Sequence, residues 1–274
     1  MMEALPPAAC DCHVHVFDRR WPLAGPMPDA PASRYHALQQ ALGLERAVLV
    51  QANGYGTDNR AMLDGLRELG PGRTRGIAVT APDVTERELK KLAEAGVCGL
   101  RFHMLPGGYM RWEDLAPLAA RIAPMGWHIQ LQLDGRTLPE HAHRLRHLPC
   151  PLVIDHIGKF LEPVEFSHPG FRLLCRLVEG GRCWVKLSAP YEVSRSGSPD
   201  YADIGKLAEA LVRLAPERML WASNWPHPWI SEVPDERVLL SLLWKWAPEP
   251  TQRRMILVDN PAQIYGFKVE RVDP

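Results

Sequence analysis

The chain has 274 residues, 46% of them hydrophobic and 23% charged, enough apolar material for one large core or two small ones. Its 32 Lys and Arg balance its 32 Asp and Glu, so no global field steers it onto nucleic acid or an anionic membrane. No run approaches the roughly 20 apolar residues of a bilayer span, and the N-terminus Met1-Met2-Glu3-Ala4-Leu5-Pro6-Pro7 lacks the basic and apolar regions of a signal peptide.

In chain order, short apolar strands alternate with amphipathic stretches. A strand over 10–16 comes first. Strand 46–51 precedes a helix over 58–69, strand 75–79 one over 85–95, and strand 99–103 one over 112–125. Strand 127–132 leads to a helix over 138–148, strand 152–155 to 171–179, and strand 183–187 to 201–214. Strand 219–222 is followed by a helical pair over 234–246 and 251–258. Thr85 with Glu88 three residues on reads as a capping box. Near-continuous apolar strands separated by helices make a parallel sheet covered on its outer face, and eight is the number that closes a barrel. The Pro/Gly clusters 22–31 and 106–108 fall after strands, where βα loops build a barrel's active face. An open doubly wound sheet is the alternative, but no glycine fingerprint follows the first strand. The expectation is an α/β fold, a (β/α)8 TIM barrel in one domain over residues 1–274.

Three motifs carry chemistry. Asp11-Cys12-His13-Val14-His15 lies on the first strand, where alternation puts Asp11, His13 and His15 on one face and Cys10, Cys12, Val14 and Val16 on the other. The polar set would line the interior near the C-terminal mouth, where imidazoles can bind a metal or polarise a carbonyl and shuttle protons. Val153-Ile154-Asp155-His156 ends the sixth strand with an ionisable pair. After the eighth strand, Ser223-Asn224-Trp225-Pro226-His227-Pro228 forms a stiff aromatic loop headed by a polar amide.

Together these motifs resemble the amidohydrolase superfamily, and within it the 2-pyrone-4,6-dicarboxylate lactonase-like branch with its sugar-acid lactonases and galactarolactone isomerase. Gln51-Ala52-Asn53, Gly56-Thr57-Asp58-Asn59, Gly99-Leu100-Arg101-Phe102 and the closing Asn260-Pro261-Ala262-Gln263-Ile264-Tyr265-Gly266-Phe267 extend the likeness over nearly the whole chain. The resemblance implies that His13 and His15 face a substrate carbonyl oxygen, that His156 assists there, and that Arg101 holds a carboxylate. Asn53 and Tyr191 would hydrogen-bond the substrate, His103 would share the face of Arg101, and Trp225 and Tyr35 would wall the pocket.

Two departures shape the expected activity. Hydrolytic relatives carry Asp where this chain has Asn224, and an amide can position a water but not take its proton. That also makes a poor anionic ligand, and the lactonase-like branch works without metal. No metal or other cofactor is therefore expected, and a zinc, if bound, would fall to His13, His15 and His156. Basic residues are sparse after Arg101 and after the seventh strand, which favours a substrate with one carboxylate over a dicarboxylate. Lactone hydrolysis is the leading reading, lactone isomerisation by intramolecular acyl transfer the alternative, and a non-catalytic ligand-binding barrel a third. Six cysteines without a CxxC pair suit a reduced, cytoplasmic protein. The partner is a small lactone or carboxylate, and the nine tryptophans leave both a homo-oligomer and a monomer open.

Overall fold

The computed structural model describes residues 3–23, 26–228 and 230–268, so residues 24 and 25 of the proline-rich loop lie outside the described residues. Eight strands form one all-parallel sheet in the order β1 to β8: Cys10–Val14, Arg46–Val50, Thr74–Ala78, Val97–His103, His128–Gln132, Leu152–Ile154, Cys183–Leu187 and Met219–Trp221. Two backbone bonds draw the first and last strands together: Asn224 N–H donates to His13 O at 3.0 Å and His15 N–H to Trp225 O at 2.8 Å. The expected barrel is thereby formed.

Helices α1 (Ala32–Leu42), α2 (Arg60–Leu69), α3 (Glu86–Glu94), α4 (Trp112–Ile122), α5 (Ala142–Arg146), α6 (Pro169–Glu179), α7 (Ala202–Leu214) and α8 (Glu236–Trp246) follow the strands in turn. The short α9 (Pro250–Arg254) and α10 (Asn260–Tyr265) flank a π-helical turn over Met255–Asp259. The capping box at α3 is present, with Thr85 N–H donating to Glu88 at 2.8 Å and Glu88 N–H to Thr85 Oγ1 at 3.2 Å. α1 was not expected. Its buried positions Ala32, Tyr35, Gln39 and Leu42 have helical spacing, but the stripe includes a glutamine, which dilutes the apolar period. The expected helix over 138–148 is instead a 3₁₀ stretch, Gly135–His141, followed by one turn and a half of α-helix. Pro139, without an N–H, falls inside that stretch. None of the described helices is long and apolar enough to cross a membrane.

The faces of β1 differ from the alternation expected. Asp11 pairs with Ala47 and Val14 with Leu49, so Cys12 and His13 together oppose Val48 in a β-bulge. Cys10 and Cys12 pack inside the barrel with Val48, Val50, Ile77, Val153, Trp184 and Leu220, above Tyr265 of α10. Asp11 turns the other way, where Tyr35 of α1 donates to it at 3.3 Å. The extra residue then returns His13 and His15 to the inside while Val14 joins the helix-covered core. A period of two therefore places His13, Val14 and His15 correctly and Cys10, Asp11 and Cys12 on the wrong faces, because the bulge shifts the count by one.

Asp11 fastens the seam between β1 and β8. It accepts from Ser223 N–H at 3.0 Å, Ser223 Oγ at 2.5 Å and His13 N–H at 3.2 Å. Burial raises its carboxyl from 3.8 to about 6, against the pull of the Ser223 bonds. Asp11→Ala would strand these donors, and a loss of about 2–4 kcal/mol is expected in denaturant unfolding. Because the folded-state value lies above the unfolded one, the contribution of Asp11 is greatest below the unfolded value and falls as pH rises toward about 6. The stability margin of the wild type over the non-titrating Asp11→Asn is expected to shrink between about pH 4 and 6 and then stay level. A margin that grew over that window would contradict this account.

Candidate active site

A cavity of about 320 Å³ opens where the C-terminal ends of the strands converge. His15 follows β1, Asn53 follows β2, His103 and Gln132 close β4 and β5, and His156 with Lys159 follows β6. Glu192 comes from the loop after β7 and Asn224 from the loop after β8. This rim is where barrel enzymes carry their chemistry. Six residues expected from sequence line it: His15, Asn53, Arg101, His103, His156 and Asn224. His13 and Tyr191 stand behind its wall, and Tyr35 and Trp225 pack on each other with ring centres 5.6 Å apart instead of walling it. A larger groove of about 600 Å³ between α2 and α3 contains none of the histidines.

Beneath the cavity lies a fully buried lysine. Lys186 on β7 is 0% exposed, and its Nζ sits 2.6 Å from Gln130 Oε1, 3.4 Å from Asp155 Oδ1 and 3.3 Å from His13 Nδ1. His13 Nδ1 has beside it both this ammonium, which only donates, and Asp155 Oδ1 at 3.4 Å, which only accepts, so its proton is placed from the other end of the chain, through His13 Nε2. That nitrogen lies 3.1 Å from His15 Nε2, and His15 Nδ1 lies 2.8 Å from Val50 O, which can only accept. The protons therefore run one way, from Lys186 through His13 and His15 to the Val50 carbonyl. Burial lowers His13 well below the ordinary range, with Lys186 adding to it, and takes His15 to about 3 with help from Arg101. Both are neutral imidazoles, as the proton order requires.

His156 is likewise lowered by burial, and its Nδ1 meets Ser188 Oγ at 2.8 Å. Burial pulls the Asp155 carboxyl upward, but Lys186, His156 and Arg101 outweigh it and the net shift is downward. His156, Ile157, Gly158 and Lys159 all have left-handed backbone, with φ of 55°, 55°, 84° and 43°. For the three that are not glycine this costs about 1–2 kcal/mol each, and it turns both His156 and Lys159 into the cavity rim. The Lys159 ammonium pairs with Glu192.

Arg101 donates to Gln51 O at 2.7 Å and Gln132 Oε1 at 2.8 Å, while its buried Nε has no protein partner. His103 beside it is lowered to about 4, chiefly by burial, and its Nδ1 is also unpartnered. Asn224 donates to Tyr191 OH at 2.8 Å and Glu192 Oε1 at 3.3 Å. A carboxylate only accepts, which fixes the amide's orientation. Tyr191 then donates to His227 Nδ1 at 2.7 Å, and His227 Nε2 faces Glu236 at 3.3 Å.

Lys186, Gln130, Gln132, Lys159 and Glu192 were not among the residues expected from sequence. A lone lysine in Cys183-Trp184-Val185-Lys186-Leu187 and alternating glutamines in His128-Ile129-Gln130-Leu131-Gln132 were the available signals, since a polar side chain in a doubly covered strand needs a buried partner. Lys159 and Glu192 sit on loops, where spacing says little about direction.

Among the described residues one group could gather donors around a metal, and it is His13, Asp155 and His156 rather than the three histidines expected. Their ligand atoms lie within 4.8 Å of one another. Lys186 already supplies the positive charge there, within 3.4 Å of both Asp155 and His13, and a dication beside it would be repelled.

The family model described as Amidohydrolase matches residues 10–267. The chain is 35% identical to 4-sulfomuconolactone hydrolase of Hydrogenophaga intermedia, over 96% of this chain and 90% of the relative. It is 31% identical to D-galactarolactone isomerase of Agrobacterium fabrum, over 96% and 92%. The ligand-free crystal structure of an Agrobacterium tumefaciens protein superposes with a TM-score of 0.91 at 32% identity, covering 97% of this chain and 98% of the other.

Removing Lys186 alone would leave Asp155 as an uncompensated buried charge. Lys186→Met is expected to cost about 3–5 kcal/mol in chemical denaturation, and adding Asp155→Leu should return more than half of it. Equal and additive losses would show that the two groups do not compensate each other.

Proposed function

This chain belongs to the amidohydrolase family, and from that membership we propose that it is a metal-independent enzyme opening a small carboxylated lactone by hydrolysis. The observation that carries the reading is the union, in one cavity, of the Arg101 guanidinium with buried, neutral imidazoles. A lactone bearing one carboxylate would set that group against the Arg101 guanidinium and present its ring carbonyl to His156. When a nucleophile adds, the carbonyl π pair moves onto oxygen. His156, donating from Nε2 while Ser188 donates to its Nδ1, would hold that oxyanion. His15 has its Nε2 engaged by His13, so its part is to hold the wall of the site. Collapse breaks the ring C–O bond, and the departing oxygen takes up a proton.

Asn224 favours a second reading. With no carboxylate at the end of β8, a substrate hydroxyl placed against the ring carbonyl could attack in place of water, moving the acyl group and yielding a shifted lactone. The relatives named above include one enzyme of each kind. We take the chain as one domain, and its six unpaired cysteines suit a reducing, cytoplasmic setting.

Incubation with carboxylated sugar-acid and pyrone lactones in ¹⁸O-labelled water, followed by NMR and mass spectrometry, tests both readings. Label in an opened carboxylate is the expected result. A shifted ring without label would establish isomerisation, and no turnover of any lactone would overturn both. Activity is expected to survive exhaustive chelation, and its loss with recovery on adding zinc would refute the metal-independent scheme. Arg101→Met is expected to raise KM about 10- to 100-fold with a smaller change in kcat, as fits loss of a charge-assisted contact made in both ground and transition states.

A further inference from the structure

We propose that Glu192 is the catalytic base of this cavity, taking the proton from the hydroxyl that adds to the lactone carbonyl. The inference rests on the lactone reading above and assigns the one role that reading leaves unfilled. Among the described residues lining the cavity, Glu192 is the only carboxylate. Asp155 lies beneath the floor, sealed at 0% exposure and committed to Lys186, so it is out of reach of a substrate. Asn224 can orient a hydroxyl but cannot take its proton.

The position of Glu192 is what gives the assignment its force. The end of β8 carries an amide, and that amide's N–H donates to Glu192 Oε1 at 3.3 Å. The carboxylate missing from β8 is thus present one side chain away, delivered by the 3₁₀ turn Pro190–Glu192 after β7. Its other oxygen is held by Lys159, and the side chain keeps 18% of its surface exposed, so an approaching hydroxyl can reach it. Lys159 and Asn224 fix the carboxylate from two directions, which is how a base is held for reaction instead of swinging in solvent.

The step balances without a co-reactant. The O–H proton passes to Glu192, the freed oxygen pair forms the new C–O bond, and the carbonyl π pair moves onto oxygen. As the tetrahedral species collapses, the ring oxygen leaves with the electron pair of the broken bond and takes the proton back from Glu192. One water is consumed if the nucleophile is water, and none if it is the substrate's own hydroxyl. The same base serves both.

The test compares the full-length wild type, Glu192→Gln, and the swap Glu192→Gln/Asn224→Asp on the same lactones, reading kcat and KM separately. The swap places the carboxylate on the other side of the same 3.3 Å contact and keeps one amide and one carboxylate in the pair. Glu192→Gln is expected to lower kcat about 10²–10⁴-fold with KM changed less than about fivefold, and the swap to recover at least about tenfold of that loss. A single variant that keeps kcat overturns the assignment. So does a loss that the swap leaves unrepaired, since the glutamate would then act only through its pairing with Lys159. A wild type inert toward every lactone overturns the lactone reading together with the base, and is distinguished from the other outcomes by that inertness.

Discussion

A lysine charge buried at the centre of the barrel organises everything above it. An ammonium taken out of water is tolerable only with close compensation, and His13 of β1, Gln130 of β5 and Asp155 just past β6 supply it. The Val50 carbonyl, which can only accept, places the proton of neutral His15 on Nδ1 and so that of His13 on Nε2, which leaves His13 Nδ1 to accept from the ammonium. A four-member proton chain thus runs from the buried charge to a backbone carbonyl. The same charge stands within 3.4 Å of Asp155 and His13, two of the three residues whose donors converge there, and opposes a cation placed among them.

Above that floor, reactivity is placed by departures from regular structure. The bulge in β1 rotates two histidines inward, and the left-handed run after β6 brings His156 and Lys159 to the rim. Each costs backbone energy, and each is held by neighbours with little room to give. A Cβ at Gly135 would come within 2.5 Å of Gly158 O, so the loops after β5 and β6 meet backbone to backbone. The regular barrel supplies stiffness, and the irregular loops supply aim.

Much of this was legible from the chain. Eight apolar runs with helices between them dictate the barrel, and Arg101 and His103, two residues apart on β4, reach the cavity together as alternation requires. What escaped has definite causes. The bulge shifted the face count at Asp11 and Cys12, and nothing in Asp11-Cys12-His13 announces an extra residue. α1 was hidden because Gln39 interrupts its apolar stripe. His13 was expected to face the substrate and stands behind the cavity wall, since a strand pattern gives the face of a side chain but not its depth. Lys159 and Glu192 depend on loop dihedrals that residue spacing does not encode.

The seam between β1 and β8 has a temporal meaning. His13 and His15, near one end of the described chain, are bonded to Asn224 and Trp225, more than two hundred positions later, and Asp11 is clasped to Ser223. On a ribosome, the first strand must wait with an open edge until the eighth has emerged. Until then the cavity has no complete wall and Asp11 no serine to hold. The cavity is thus closed only once the eighth strand has joined the first, and a translation product interrupted before it would lack that wall however folded the rest.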